Sequence, residues 1–193
     1  MLQPVQELAL AVKGCQPGVP SRGDTAPPAG GENPAMPARL DPDTDRTPRG
    51  RLAQARLHEV LGYHVAQAAI VTNAVFEEQI EQALGLRKVE FTVLSLIGEN
   101  PGVTPAQLAR ALAFTPGNIT MWVDRLVDKG LARREASTAD RRAQHLYATP
   151  EGEARAAQAV LRIVEAEQAR LRHLSAAEKA MLVELLSKVA AAR

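Results

Sequence analysis

The chain has 193 residues, 46% of them apolar and 23% charged, with a formal net charge of +1. That is long enough for one domain with its own core plus a tail, and too balanced in charge for bulk polyelectrolyte binding. A single cysteine, Cys15, excludes an intrachain disulfide framework and a Cys-rich metal site, which suits a reducing cytosol. No apolar run approaches the ~20 residues of a membrane helix, so no membrane partner is expected.

Residues 1–50 carry nine of the 13 prolines, the last being Pro48, together with Gly14, Gly18, Gly23, Gly30, Gly31 and Gly50. Such a segment holds little regular structure, and a disordered tail is expected. Gln3 to Lys13 has Leu8 and Val12 one turn apart, but a helix that short is marginal alone. Translation starting at Met36 is a second explanation for the first 35 residues, and both stay open. Leu10 to Cys15 resembles a lipoprotein cleavage site only superficially, since Lys13 interrupts it and no basic residue precedes the apolar run.

From Arg51 the apolar pattern becomes helical. Leu57, Leu61, His64, Ala68, Val71 and Val75 follow a 3.6-residue period, predicting a long helix from Arg51 to about Leu84, with Gly62 tolerated at some cost. A second helix is predicted from about Arg87 to Gly98 on Val89, Val93, Leu94 and Ile97, and Asn100-Pro101-Gly102 ends the connection. Thr104, Pro105 and Gln107 then form a capping box with proline at the first helical position, followed by Leu108, Ala109 and Leu112 on one face. After Ala113-Phe114, Thr115-Pro116 opens another helix with Ile119, Trp122, Val123, Leu126 and Val127 inward, closed by Lys129-Gly130. The period next shortens. Leu131–Glu135 and Gln144–Ala148 read as strands, and the segment between them ends in Asp140-Arg141-Arg142, a basic hairpin tip. Pro150 begins a long helix carrying Ala154, Ala157, Val160, Leu161, Val164 and Leu171. A last helix opens at Ser175 with Glu178 as its capping partner and carries Leu182, Leu185, Leu186 and Val189.

The expected fold is therefore mainly α with a small β-hairpin wing: a winged helix-turn-helix flanked by long dimerisation helices. The expected division is a tail over 1–50 and a domain over 51–193, with dimerisation helices at 51–85 and 150–193 and a DNA-binding lobe at 87–149. The first helix and the last two carry apolar stripes that need a surface to cover them, and a homodimer is the simplest source. Arg125, Lys129, Arg133, Arg134, Arg141 and Arg142 supply a local basic patch, diluted by Asp124, Asp128, Glu135 and Asp140.

The run Leu126 to Arg134, then Ala139 to Arg142, then Leu146-Tyr147-Ala148-Thr149-Pro150-Glu151-Gly152 resembles the wing region of the MarR family of bacterial transcription regulators. The resemblance covers about Arg51 to Arg193 and leaves residues 1–50 without a counterpart. It implies a homodimer whose terminal helices interlock, and two-fold symmetry then predicts a pseudo-palindromic site with half-sites about one helical turn apart. The bacterial cytoplasm is the expected location, at the nucleoid when DNA is bound. Repression is the family's commonest mode.

A recognition helix reads bases from its N-terminal half. The residues expected at DNA are Thr115, Pro116, Gly117, Asn118, Thr120 and Met121, with Arg125 one turn on. Asn118 can pair bidentately with adenine, Thr120 can donate or accept, and Met121 can touch a thymine methyl. Met121 departs from the family, which often has a basic residue there. Trp122 is expected to pack in the core. Arg141 or Arg142 is expected to enter the minor groove, where a narrow groove favours guanidinium. Asp140 is expected to brace one of the two.

The resemblance also implies a small effector, often a phenolic or aromatic acid, bound where the dimerisation helices meet the lobe. Candidates are His58, Tyr63, His64, Arg87 and Phe91: Arg87 for a carboxylate, His64 for a hydrogen bond, Tyr63 or Phe91 for ring stacking. Each also has a plain structural reading, a packed histidine or a capping arginine. The Tyr63-His64 to Leu86-Arg87 segment resembles regulators of aromatic and nicotinate catabolism within the family. Cys15 lies outside the region where redox-sensing relatives place a thiol. His58, His64, His145 and His173 form no metal-ligand spacing of their own, so no metal and no cofactor are expected. No phosphate loop or nucleophile motif marks an enzyme. The competing readings are a winged-helix module that binds protein and a regulator that binds DNA without a ligand.

Overall fold

The computed structural model describes residues 46–136 and 144–192. The chain divides into two units, Met1–Ala68 and Ala69–Arg193. In the first, residues 46–50, assigned to the tail in the sequence, enter a tight reversal. Gly50 and Arg51 adopt positive φ (76° and 52°), and Arg46 meets Ala53 in an antiparallel bridge. The Thr47 hydroxyl donates to the Arg49 carbonyl at 2.6 Å and accepts the Leu52 N–H at 3.0 Å. A 3₁₀ turn over Ala55–Leu57 follows, and the first helix, α1, begins at Leu61 and runs to Phe76.

The helix expected from Arg51 thus starts at Leu61. The chain must reverse before it can wind, and the His58 carbonyl goes to the His64 ring (2.6 Å) while Val60 O receives the first ladder bonds, from Tyr63 and His64. Its other end agrees with the reading. After Phe76 it continues as a π-helical turn over Glu77–Glu81 and an α turn over Gln82–Leu84, ending at Gly85 with φ 64°.

The second unit holds the core. Helix α2 (Lys88–Glu99) leads into α3 (Pro105–Leu112), α4 (Pro116–Asp128), strands β1 (Ala132–Ala136) and β2 (Gln144–Ala148), then α5 (Pro150–Arg170) and α6 (Ala176–Ala190). Ile80, Val93, Leu94, Ile97, Leu108, Ile119, Val123, Leu126, Leu146 and Ala159 are fully buried among them. The inward stripe of α4 is narrower than the sequence pattern: Ile119, Val123 and Leu126 are buried, whereas Val127 is 37% exposed. Trp122 is half-buried against the core.

The strands pair antiparallel, Ala132 with Ala148 and Arg134 with Leu146. A third contribution comes from the α2–α3 connection, where Gly102 N–H donates to Leu146 O at 2.8 Å and Leu146 N–H donates to Val103 O at 2.9 Å. The base of the hairpin is therefore held from both sides. Thr149 caps α5, accepting from Gly152 N–H at 3.0 Å and donating to Gly130 O at 2.7 Å. Gly152 packs so closely on Leu131 that a Cβ would overlap the Leu131 carbonyl. Helix α6, opened by the Ser175–Glu178 capping box, has no buried residue; Met181, Leu182, Val183, Leu185, Leu186 and Val189 are exposed, as are Val160, Leu161 and Val164 of α5.

Candidate DNA interface and effector site

Local chemistry positions α4. Thr115 is its N-cap, accepting the Asn118 N–H at 3.4 Å, and Pro116 occupies the first helical position. Thr115, Pro116, Gly117, Asn118, Thr120 and Met121 all lie exposed along its N-terminal half. The Thr120 hydroxyl donates to Pro116 O at 3.0 Å. Its proton is thereby committed, so toward an outside partner Thr120 presents an acceptor, a narrower role than the donor-or-acceptor expected from sequence.

The helix is braced from β1. Arg134 reaches Asp124 at 2.6 Å and the Thr120 carbonyl at 3.5 Å. Arg133 lies over the Tyr147 ring, 4.6 Å from its centroid, and pairs with Glu135. Arg125 lies over Trp122 at 4.7 Å. Lys129 turns to Glu90 at 2.7 Å. The basic run read from the sequence as one patch is therefore divided: each of these four cations has a partner within the lobe, supplied by the interleaved Asp124 and Glu135, by the Trp122 and Tyr147 rings, and by Glu90 from far earlier in the chain. Arg141 and Arg142, with Asp140, lie outside the described residues.

Three effector candidates come together in the first unit. The His58 and His64 rings meet edge to face with centroids 5.5 Å apart, Tyr63 and His64 at 5.6 Å, and Tyr63 Oη donates to Gln54 Oε1 at 2.7 Å. His58 Nδ1 is buried without a hydrogen-bond partner among the described residues. The other two belong to the second unit. Arg87 is the N-cap of α2, with an exposed side chain and a backbone N–H given to Glu90 at 2.9 Å. Phe91 is half-buried beside Phe76, ring centroids 5.7 Å apart.

Sequence reasoning missed Glu90. It is 1% exposed, yet its carboxylate binds both the Arg87 N–H and the Lys129 ammonium. The available signal was its place three residues after the helix start, the position from which an acidic side chain reaches back to the cap. Among the described residues no group of three or more His, Cys, Asp or Glu is arranged to hold a metal ion, and no helix is long and apolar enough to cross a membrane.

A MarR family model matches residues 84–143. A putative transcriptional regulatory protein for the hcr operon of Thauera aromatica is 33% identical over 155 residues, covering 75% of this chain and 92% of that relative. An HTH-type transcriptional repressor of Mycobacterium tuberculosis is 31% identical over 121 residues, 60% of this chain and 86% of its own. Among solved structures, the transcriptional repressor CouR bound to a 23-mer DNA duplex is similar with a TM-score of 0.66 at 28% identity, over 72% of this chain and 98% of that one. The capped, outward-facing α4, the hairpin braced against it and these likenesses lead to one conclusion: the chain belongs to the MarR family, as a DNA-binding winged helix-turn-helix transcriptional regulator and not an enzyme.

Proposed function

We propose that the protein is a homodimeric repressor that binds a pseudo-palindromic operator through α4 and the wing and leaves it when a small aromatic acid binds. The observation that carries the DNA assignment is the exposed N-terminal half of α4, fixed from β1 by Arg134 through Asp124. Asn118 is assigned a base edge, Met121 a thymine methyl, Thr120 an exocyclic amine that donates to it, and Arg125, Arg141 and Arg142 the backbone or minor groove. Thr115, Pro116 and Gly117 present the helix end to phosphate.

Support for the dimer comes from the uncovered stripes. Met181, Leu182, Leu185 and Leu186 on α6 and Leu161 on α5 remain 43% to 64% exposed. Full burial stabilises such side chains by about 1.5–3 kcal/mol each relative to full exposure, so covering what remains exposed would add about half of that per residue, a substantial incentive for a second copy when summed along the stripe. For the effector, the edge-to-face cluster of His58, Tyr63 and His64 offers aromatic contacts within the first unit, and Arg87, taken by itself, exposes a guanidinium of the kind that suits a carboxylate. Phe91, engaged with Phe76, is the weakest of the five candidates.

An acid releases DNA only by binding better to a conformation that DNA binds worse. Calorimetric titration of benzoate and hydroxybenzoates into the protein, alone and saturated with DNA, tests this. The expected result is weaker binding to the DNA complex, with His64→Ala and Arg87→Ala binding DNA normally but resisting release. Equal affinities in both forms would leave a regulator that does not respond to these acids.

A further inference from the structure

Helix α4 is capped at Lys129, whose side chain stays 39% exposed while its ammonium bends back toward the end of the helix at Gly85 and toward Glu90. It donates to the Gly85 carbonyl at 3.0 Å and to the Glu90 carboxylate at 2.7 Å. One residue before Gly85, the Leu84 carbonyl accepts from Arg155 of α5 at 3.2 Å. These two carbonyls close the helix that began as α1, and a helix C-terminus carries partial negative charge that cations offset. Three elements thus meet at one joint: the last turn after α1, the C-terminal end of α4, and α5. Glu90 sits beneath it, almost wholly buried, and removing one partner of such a pair leaves a costly unpaired charge.

We propose that Lys129 and Glu90 are positioning residues for DNA reading, setting the direction in which α4 leaves this joint. The inference rests on α4 being the helix that enters the groove. Leverage makes the position matter. Lys129 lies about 16 Å along the helix from Asn118 at ~1.5 Å per residue, so a pivot of about 5° at the joint moves the reading end by roughly 1.4 Å. Recognition groups must be held to within about 0.5 Å of their working geometry. Neither residue needs to touch DNA for its loss to be felt there.

The test uses a duplex enriched from random sequence by the wild-type protein, with a random duplex of equal length as reference. Lys129→Met and Glu90→Gln, the second preserving shape and acceptor, are each expected to weaken the enriched duplex about tenfold relative to the random one. The slope of affinity against salt should stay unchanged, since no phosphate contact is removed. Lys129→Arg should restore binding to within about twofold, and the double variant should be little worse than Lys129→Met, as expected of one coupled unit. A salt slope reduced by about one in Lys129→Met would show a phosphate contact and overturn the proposal. So would variants that melt earlier yet keep wild-type discrimination, because the pair would then be structural only. A wild-type protein that enriches no duplex would overturn this proposal together with the assignment of α4, whereas the variants bear on the joint alone.

Discussion

Replacing Gly152 with alanine sets two effects of opposite sign against each other. At an open helix position the change stabilises by about 0.5–1 kcal/mol, because alanine loses less backbone freedom on folding. At Gly152, in the first turn of α5, the new Cβ would overlap the Leu131 carbonyl. That carbonyl is not free to retreat, since it accepts the Thr149 N–H at 3.0 Å and the preceding Gly130 carbonyl holds the Thr149 hydroxyl at 2.7 Å. Relief requires α5 to lift away from the α4–β1 corner. Overpacking of this kind costs about 1–3 kcal/mol, and each strained hydrogen bond about 1 kcal/mol more. The clash outweighs the propensity gain, and a net loss of about 2–4 kcal/mol is expected, or roughly 5–15 °C in melting temperature. Differential scanning calorimetry at matched protein concentration measures it. Gly98→Ala is the control, because nothing lies within 4 Å of its Cβ, and it should melt at or slightly above wild type. A Gly152→Ala protein melting within about 2 °C of wild type would refute the reasoning.

Asn118→Ala is expected to cost about 1–3 kcal/mol and to relax preference at one base position, whereas Arg141→Ala should weaken many sequences together and flatten the salt slope. Operator substitution series at two salt concentrations separate them, and equal responses to every base change would contradict the assignment. Glu178 has its carboxyl held below its ordinary 4.5, first by the Ser175 backbone N–H and then by the Ser175 hydroxyl. A depressed folded pKa means that the cap's contribution is full above about pH 4.5 and is lost as pH falls through the lower folded value. Ser175→Ala should raise the midpoint of the Glu178 carboxyl resonance, and unchanged midpoints would remove the hydroxyl's part. Deleting residues 1–35 is expected to leave folding, oligomeric state and DNA binding nearly unchanged, by sedimentation and gel shift.

What the sequence made legible was local. The caps at Thr104, Thr115, Thr149 and Ser175 each depend on a donor within three residues, so a reader of the chain meets both partners together. The strands, read as Leu131–Glu135 and Gln144–Ala148 from the change of period beside Gly130, form at Ala132–Ala136 and Gln144–Ala148, the first one residue later because the Leu131 N–H still closes onto the helix at Leu126 O. Contacts made at a distance stayed hidden. Lys129 read as a helix-end cation, and only the fold brings it to Glu90, 39 residues earlier. The Val103–Leu146 bridge joins a loop to a strand with no pattern of its own. The first helix starts later than the sequence pattern because Leu57 keeps the 3.6-residue period although it lies in an isolated 3₁₀ turn, before the α-helix begins at Leu61. The exposure of Met181 and Leu186 could be expected only as a stripe in search of a surface, since one chain's sequence says nothing of what covers it.

The bridge at Val103 has a consequence for how the lobe measures DNA. A two-stranded hairpin is marginal alone in water, but this one is stitched at Leu146 to the connection that precedes α3 and tied at Arg134 to α4. The strands therefore hold Ala136 and Gln144, where the described part of the hairpin ends, at a fixed bearing from α4. In the proposed complex the lobe would act as a caliper with locked jaws, suited to one width of groove and backbone. In the proposed dimer any tuning of operator length would come from the distance between two lobes, so insertions of base pairs inside a half-site are expected to be rejected outright while changes in the spacer between half-sites are graded.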